Sequence, residues 1–154
     1  AAWAKDKMGM TLYEWLQDLY VKYGFYREGL VNVVRKGKDG AELIQNMMVE
    51  YRANPPKSIL GSPVVKIYDY KTLEVLDVES GKRSPIEGVT DHSNVLQWVT
   101  ADGTKVSVRP SGTEPKIKFY FGVKAVLPSV AEFDKVQAEL DAKIEEIKKE
   151  LKLE

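Results

Sequence analysis

Residues 109–118 read Arg-Pro-Ser-Gly-Thr-Glu-Pro-Lys-Ile-Lys, which places a guanidinium, two hydroxyls, a glycine and two ammonium groups within ten residues. Those groups bind phosphate. Arginine offers a planar fork of N–H donors. Serine and threonine hydroxyls donate to phosphate oxygens. Gly112 is free to take positive φ and lets backbone amides approach an anion closely. Pro110 and Pro115 limit how far such a loop can move. The same residue types also suit a plain tight hairpin with ordinary surface charges. Glu114 is the one member at odds with an anion site; pairing with Arg109 or a neighbouring lysine, or facing solvent, would reconcile it.

The flanking residues must position this loop. Residues 104–109 alternate polar and apolar, and Ile117, Phe119, Phe121 and Val123 alternate with Lys116, Lys118, Tyr120 and Lys124. Period two with β-branched and aromatic residues predicts two half-buried strands joined as a hairpin. Val106, Val108, Ile117 and Phe119 then face the core, and Arg109 and Lys118 belong to the opposite, polar sets. Both cations would stand on rigid strand ends at the mouth of the loop. From Lys105 to Lys124 there are five bases and one acid, whereas the whole chain carries 23 of each. A local positive patch on a neutral chain favours a small anion over a polyanion, which needs a wide basic face.

The run from Arg109 to Tyr120 resembles the phosphate-binding loop in the C-terminal domain of the α-D-phosphohexomutases, the phosphoglucomutase/phosphomannomutase family. Ser93 to Trp98, with Asp102-Gly103, also resembles that family, closest to its phosphoglucomutase/phosphopentomutase branch. The likeness runs from Thr11 to the final helix and is strongest over residues 93–124. It implies an α+β fold, a TATA-binding-protein-like antiparallel sheet with helices packed on one face. In such enzymes four domains surround one active site. A phosphoserine in the first domain exchanges phosphate with a sugar phosphate through a bisphosphate intermediate. The second domain holds magnesium, the third binds the sugar, and the C-terminal loop holds the phosphate that is not being transferred. Carried over, Arg109, Ser111, Gly112 and Thr113 match that loop. Lys118 stands where many members carry arginine, and supplies charge without a bidentate fork.

No T-A-S-H-N-P-like serine loop, D-x-D-x-D metal loop or G-E-x-S-G sugar loop occurs in the chain. With Ala1 inside a helical pattern, the chain reads as a piece of a longer enzyme, expected not to turn over alone. The resemblance implies a sugar phosphate and three other domains as partners. Mg2+ and a sugar bisphosphate activator are implied for the parent, and no catalytic residue, metal or cofactor for this piece. Residues 1–10 are expected to be the tail of a preceding domain and a hinge. Residues 11–154 are then the phosphate-binding domain, with 11–24 an interdomain helix. The alternative is an autonomous phosphate- or phosphosugar-binding module without catalysis.

Composition narrows the classes. The chain is 44% hydrophobic and 30% charged with no cysteine, ordinary for a soluble domain and incompatible with disulfides or thiolate metal sites. Zero formal net charge argues against a nucleic-acid binder. No apolar run reaches the roughly 20 residues that span a bilayer, and a cytoplasmic home is the default expectation. A single-stranded nucleic-acid sheet would need Phe119 and Phe121 outward, against their alternation.

Capping-box patterns at Thr11/Glu14, Asp39/Glu42 and Ser129/Glu132 predict helices over 12–23, 40–52 and 130–151. Leu12, Trp15, Leu16 and Leu19 share a face of the first. A short helix over 1–8 precedes them, ended by Gly9. Strands are predicted over 30–35, 64–70, 95–100, 105–109 and 117–123, with Asp102-Gly103 as a hairpin turn. Consecutive hairpins make the sheet antiparallel, with helices over its apolar face. Residues 73–93 form a long connection. Other candidates read as structure: His92 as a solvated loop side chain, and Asp69 with Asp77, and Asp91 with Glu87, as soluble surface. Met47 and Met48 read as core. Lys143, Lys148, Lys149 and Lys152, interleaved with Glu145, Glu146 and Glu150, read as a solvated helix face.

Overall fold

The structure, a computed structural model, describes residues 1–35, 37 and 39–153. Two helices lead: α1 (Ala2–Met8), ended by Gly9 in the left-handed region at φ 70°, and α2 (Leu12–Tyr23). The Thr11 capping box forms: the Thr11 amide donates to Glu14 at 2.6 Å and the Glu14 amide to the Thr11 hydroxyl at 3.2 Å. Strand β1 (Phe25–Val34) leads to α3 (Gly40–Ala53), which stops ahead of Pro55-Pro56. Then come β2 (Ser58–Ile59), β3 (Ser62–Asp69), β4 (Glu74–Asp77), β5 (Arg83–Pro85), β6 (Leu96–Thr100), β7 (Lys105–Pro110) and β8 (Lys116–Ala125). A 3-10 turn (Val130–Glu132) opens into α4 (Phe133–Glu150). The sheet is antiparallel in the order β1-β8-β7-β6-β3-β4-β5, with β2 paired to β3. The fold is α+β.

Alternation decides which face is covered. Ile117, Phe119, Phe121 and Val123 of β8, Val106 and Val108 of β7, and Leu96 and Trp98 of β6 are buried. Helices α3 and α4 lie over this face, contributing Ile44 and Met48 from one and Phe133, Val136, Leu140, Ile144 and Ile147 from the other. Full burial of each such side chain is worth about 1.5–3 kcal/mol. Polar ties fasten helix to sheet. Arg27 of β1 pairs with Asp141 of α4 at 2.7 Å, and Arg52 of α3 with Asp69 of β3 at 2.9 Å.

Several sequence expectations are corrected. The first strand begins at Phe25, five residues before the predicted 30, because β1 runs in unbroken register along β8 from Phe25↔Ala125 to Val34↔Lys116. Asp39 and Ser129 make no side-chain cap. The 73–93 connection contains the β4–β5 hairpin, paired through Leu76↔Arg83. Asp69 is no solvated acid; Arg52 and its partner Asn94, 2.7 Å away, hold it part-buried. Two members of the charged α4 face also reach the sheet region. Lys143 pairs with Asp102 at 2.6 Å, and Glu150 accepts from the Leu60 amide at 2.7 Å. Met48 is buried with Met47 packed beside it, and His92 Nδ1 lies 2.8 Å from the Lys71 carbonyl.

Helix α2 docks through tyrosines rather than leucines. Tyr20 stacks on Phe25 at 4.5 Å and Tyr13 meets Phe133 edge-on at 5.8 Å. Leu12, Leu16 and Leu19 are 49%, 41% and 36% exposed, and Trp15 meets Trp3 of α1 at 6.0 Å.

The β6–β7 turn gives a first prediction. Partial burial pushes the Asp102 carboxyl up. Hydrogen bonds from the Lys143 ammonium, the Thr100 hydroxyl and the Thr104 amide outweigh that and hold it well below the usual carboxylate range. A depressed folded-state value adds stability that is present above the unfolded carboxyl's value, roughly 3.9, and is lost as pH falls beneath it. Asp102→Asn should cost about 1 kcal/mol at neutral pH, given solvent screening of a half-exposed pair. Denaturant unfolding of both chains should show that gap holding down to about pH 4 and closing below it.

Candidate functional site: the β7–β8 loop

The loop from Ser111 to Pro115 sits at the end of the central hairpin. Its base is fixed by the Ser111 amide donating to the Lys116 carbonyl at 2.8 Å, and by the Lys116 amide donating to the Glu114 carbonyl at 2.7 Å. The Ser111 hydroxyl oxygen accepts from the amides of Glu114 at 3.3 Å and Thr113 at 3.5 Å. Both bonds use its lone pairs, so its proton remains to donate to a ligand. The Arg35 amide donates to the Pro115 carbonyl at 2.9 Å, tying the loop to the end of β1.

Gly40 begins α3 directly beneath this tie. A Cβ there would lie 2.0 Å from the Arg35 carbonyl oxygen and 3.2 Å from the Pro115 Cβ. Gly112 is a glycine for a different reason. It does not use positive φ, contrary to what the sequence suggested, and nothing lies within 4 Å of where its Cβ would be. Neither its backbone nor its neighbours require a glycine, and the space it leaves is open. Between the loop and the first turns of α3 is a cleft of ≈ 260 Å³ lined by Ser111, Gly112, Thr113, Ala41 and Gln45 among others. The start of α3 lends this cleft the positive end of a helix dipole.

Arg109 and Lys118 stand side by side rather than in that cleft. They are directly opposed across β7 and β8, on the open face of the sheet, with Asn32 of β1 next to Lys118 in the same row. Two like charges directly opposite destabilise a sheet unless an anion joins them. No acidic side chain among the described residues forms an ion pair with either. Glu114 pairs with Lys116 instead. The hydrogen bond and charge of Lys116, helped by the charge of Lys118, hold the Glu114 carboxyl below its ordinary value. The loop's one acid is thereby neutralised and leaves the cation pair unpaired.

The structure thus groups the five predicted residues in two sets around one loop: Ser111, Gly112 and Thr113 in the cleft, Arg109 and Lys118 on the strand ends beside it. Sequence reasoning missed Gly40, Arg35 and Asn32. Their place depends on β1 and the start of α3 meeting β8 and its loop 75 to 86 positions away, for which no local pattern exists.

The chain is similar in sequence to known proteins. The chain is 35% identical over 136 residues to a phosphoglucomutase of Staphylococcus aureus (strain MRSA252), covering 88% of the chain and 23% of that protein. It is 34% identical over 119 residues to the phosphoglucomutase of Staphylococcus saprophyticus, covering 77% of the chain and 21% of that protein. The chain therefore spans under a quarter of the length of these relatives. A solved Paramecium structure, the open form of the exocytosis-sensitive phosphoprotein pp63/parafusin (a phosphoglucomutase), aligns with TM-score 0.39 and 13% identity over 89% of this chain and 24% of its own. Residues 73–143, which include the whole β7–β8 hairpin and its loop, match the family described as phosphoglucomutase/phosphomannomutase, C-terminal domain, and the chain carries the C-terminal domain of that family.

Proposed function

We propose that this domain grips the phosphate of a sugar phosphate within a larger mutase that moves phosphate between the 1- and 6-positions of a hexose, or the 1- and 5-positions of a pentose. The observation that carries this reading is the unpaired Arg109–Lys118 couple beside a loop whose hydroxyl proton and open glycine face the same end of the sheet. Arg109 offers a fork, Lys118 a point charge, and Ser111 and Thr113 hydroxyl donors. Each charge-assisted hydrogen bond contributes roughly 1.5–3 kcal/mol, offset in part by desolvation and ordering. Binding at this remote phosphate positions the reacting end, where the parent's phosphoserine acts.

Among the described residues no three His, Cys, Asp or Glu side chains gather as a metal site. The magnesium that the family implies would be held by another domain of the parent enzyme. No helix among the described residues is long and apolar enough to cross a membrane. The exposed Leu12, Leu16 and Leu19 stripe of α2 is the surface on which the remaining domains would pack. Gly9 and Met10, between α1 and α2, are where a hinge would let the domain close and open.

An amide NMR titration of the chain with glucose 1-phosphate and glucose 1,6-bisphosphate tests the reading. Saturable shifts at Arg109 to Thr113 and at Lys118 are expected. Shifts confined elsewhere would refute it, and equal response to inorganic phosphate and nucleotides would favour an autonomous phosphate-binding module. Gly112→Ala adds a methyl to open space, so its unfolding temperature should match wild type while phosphate affinity drops roughly tenfold, about 1.4 kcal/mol.

A further inference from the structure

The helix-free face of the sheet carries a second feature, separate from the loop. Along β8, Lys118, Tyr120 and Gly122 all point to this face. Around the last two lies a groove of ≈ 390 Å³, within the roughly 300–1,000 Å³ of small-molecule sites. Its floor is Gly122, with Glu28 of β1 directly opposite on one side and Lys105 of β7 on the other. One wall is the ring of Tyr120, 38% exposed. Next to it in register are Ser107 and Gln97, joined by a hydrogen bond of 2.9 Å from the Gln97 amide to the Ser107 hydroxyl.

Gly122 is the informative residue. Glycine inside a strand weakens it, and in such a position often marks close approach by a ligand. Most of the other strand, helix and turn glycines have a reason within the protein. Gly29 would drive a Cβ to 2.8 Å from Ile144, and Gly103 sits at φ 84° against Lys124. Gly122 has neither. Its φ is not positive, and a Cβ would meet only the Lys105 Cβ at 3.7 Å, an ordinary contact. An alanine would fit and cost the strand less backbone entropy. What glycine preserves there is the groove.

We propose that this groove binds the ring of a sugar. The flat hydrocarbon face of a pyranose would lie against Tyr120 over Gly122. Its hydroxyls would be taken by the Glu28 carboxylate, the Gln97 amide, the Ser107 hydroxyl and the Lys105 ammonium. The chemistry selects a neutral polyol. Glu28 and Lys105 cancel in charge across the floor, which disfavours a polyanion. Tyr120 and the facing Leu30 supply apolar contact, and the donors and acceptors around them suit a ring studded with hydroxyls better than a purely apolar ligand. Tyr120 stands two residues from Lys118 along one strand, roughly 7 Å, so the groove adjoins the cation pair without sharing residues with it. The inference goes beyond the phosphate reading and does not require it.

The test is an amide NMR titration of the full chain with methyl α-D-glucopyranoside, which carries no phosphate, followed separately by inorganic phosphate. Saturable shifts are expected at 28–30, 105–107 and 120–122 with a millimolar dissociation constant, and none at 111–113. Gly122→Val, whose Cβ meets only the Lys105 Cβ at an ordinary 3.7 Å, should keep or raise the unfolding temperature, abolish the glycoside shifts and leave phosphate binding intact. Tyr120→Ala should weaken the glycoside at least tenfold. The proposal is overturned by absence of saturable shifts, by shifts that map elsewhere, or by a folded Gly122→Val chain that binds the glycoside as wild type does. A loop that ignores inorganic phosphate counts against the preceding function alone.

Discussion

A Gly40→Ala chain should unfold roughly 10 °C below wild type, the equivalent of about 3 kcal/mol in a domain of this size. One methyl group is enough because its nearest neighbour would be a backbone carbonyl, the Arg35 oxygen at 2.0 Å, with the Pro115 Cβ at 3.2 Å behind it. A flexible side chain would swing aside; this carbonyl belongs to the residue whose amide holds the Pro115 carbonyl at 2.9 Å. Relief therefore requires α3 to move away from β1 and the loop together. The damage reaches function as well as stability, so a folded Gly40→Ala chain at low temperature should also bind phosphate more weakly. Circular dichroism melting with a parallel phosphate titration checks both. A melting point within a degree or two of wild type would show that the start of α3 is free to shift and does not buttress the loop.

Arg109→Ala should separate binding from stability with opposite signs. In the proposed full-length mutase we expect a higher KM and a kcat/KM about a hundredfold lower, because the two charge-assisted hydrogen bonds proposed for Arg109, roughly 1.5–3 kcal/mol each, would be lost against partly compensating desolvation. In phosphate-free buffer the isolated chain should melt at the wild-type temperature or slightly above it, since the substitution removes a like charge directly opposite Lys118. Added phosphate should raise the melting temperature of wild type and not of the variant. Lys118→Arg should behave as wild type in all three measurements, because the charge remains and a fork is gained. Unchanged kcat/KM in Arg109→Ala would remove that residue from the site.

The parts of this fold that follow a local rule are legible in the chain. Alternation over residues 104–124 assigned Phe119 and Phe121 to the core and Arg109, Lys118 and Tyr120 to the other face, as the structure shows. Thr11 and Glu14 announced α2 because both halves of that capping box lie within one turn. At Asp39 and Ser129 the same pattern marks where helical structure begins, at Gly40 and Val130, although neither side chain makes a cap bond. Long-range partners left no such trace. Nothing near Lys143 indicates Asp102, 41 residues away, and nothing near Gly40 indicates Pro115. Of the two reasons the sequence offered for Gly112, positive φ is not used, while the open space that lets a ligand approach its backbone is present.

The register of β1 has a consequence for how the domain is made. Phe25 and Ala125 are partners, yet 100 residues separate them. At a synthesis rate of roughly 5–20 residues per second, β1 waits about 5–20 s on the ribosome before its only neighbouring strand exists. Until then Leu30, Val31, Val33 and Val34 have no sheet to join, and α2 lacks Phe133 to dock against. A chain that stops short of β8 leaves this ten-residue strand as a bare edge able to pair with copies of itself. Folding of the nascent domain is thus decided late, when its last strand slides in beside its first, and holdase chaperones have their widest opportunity in that interval.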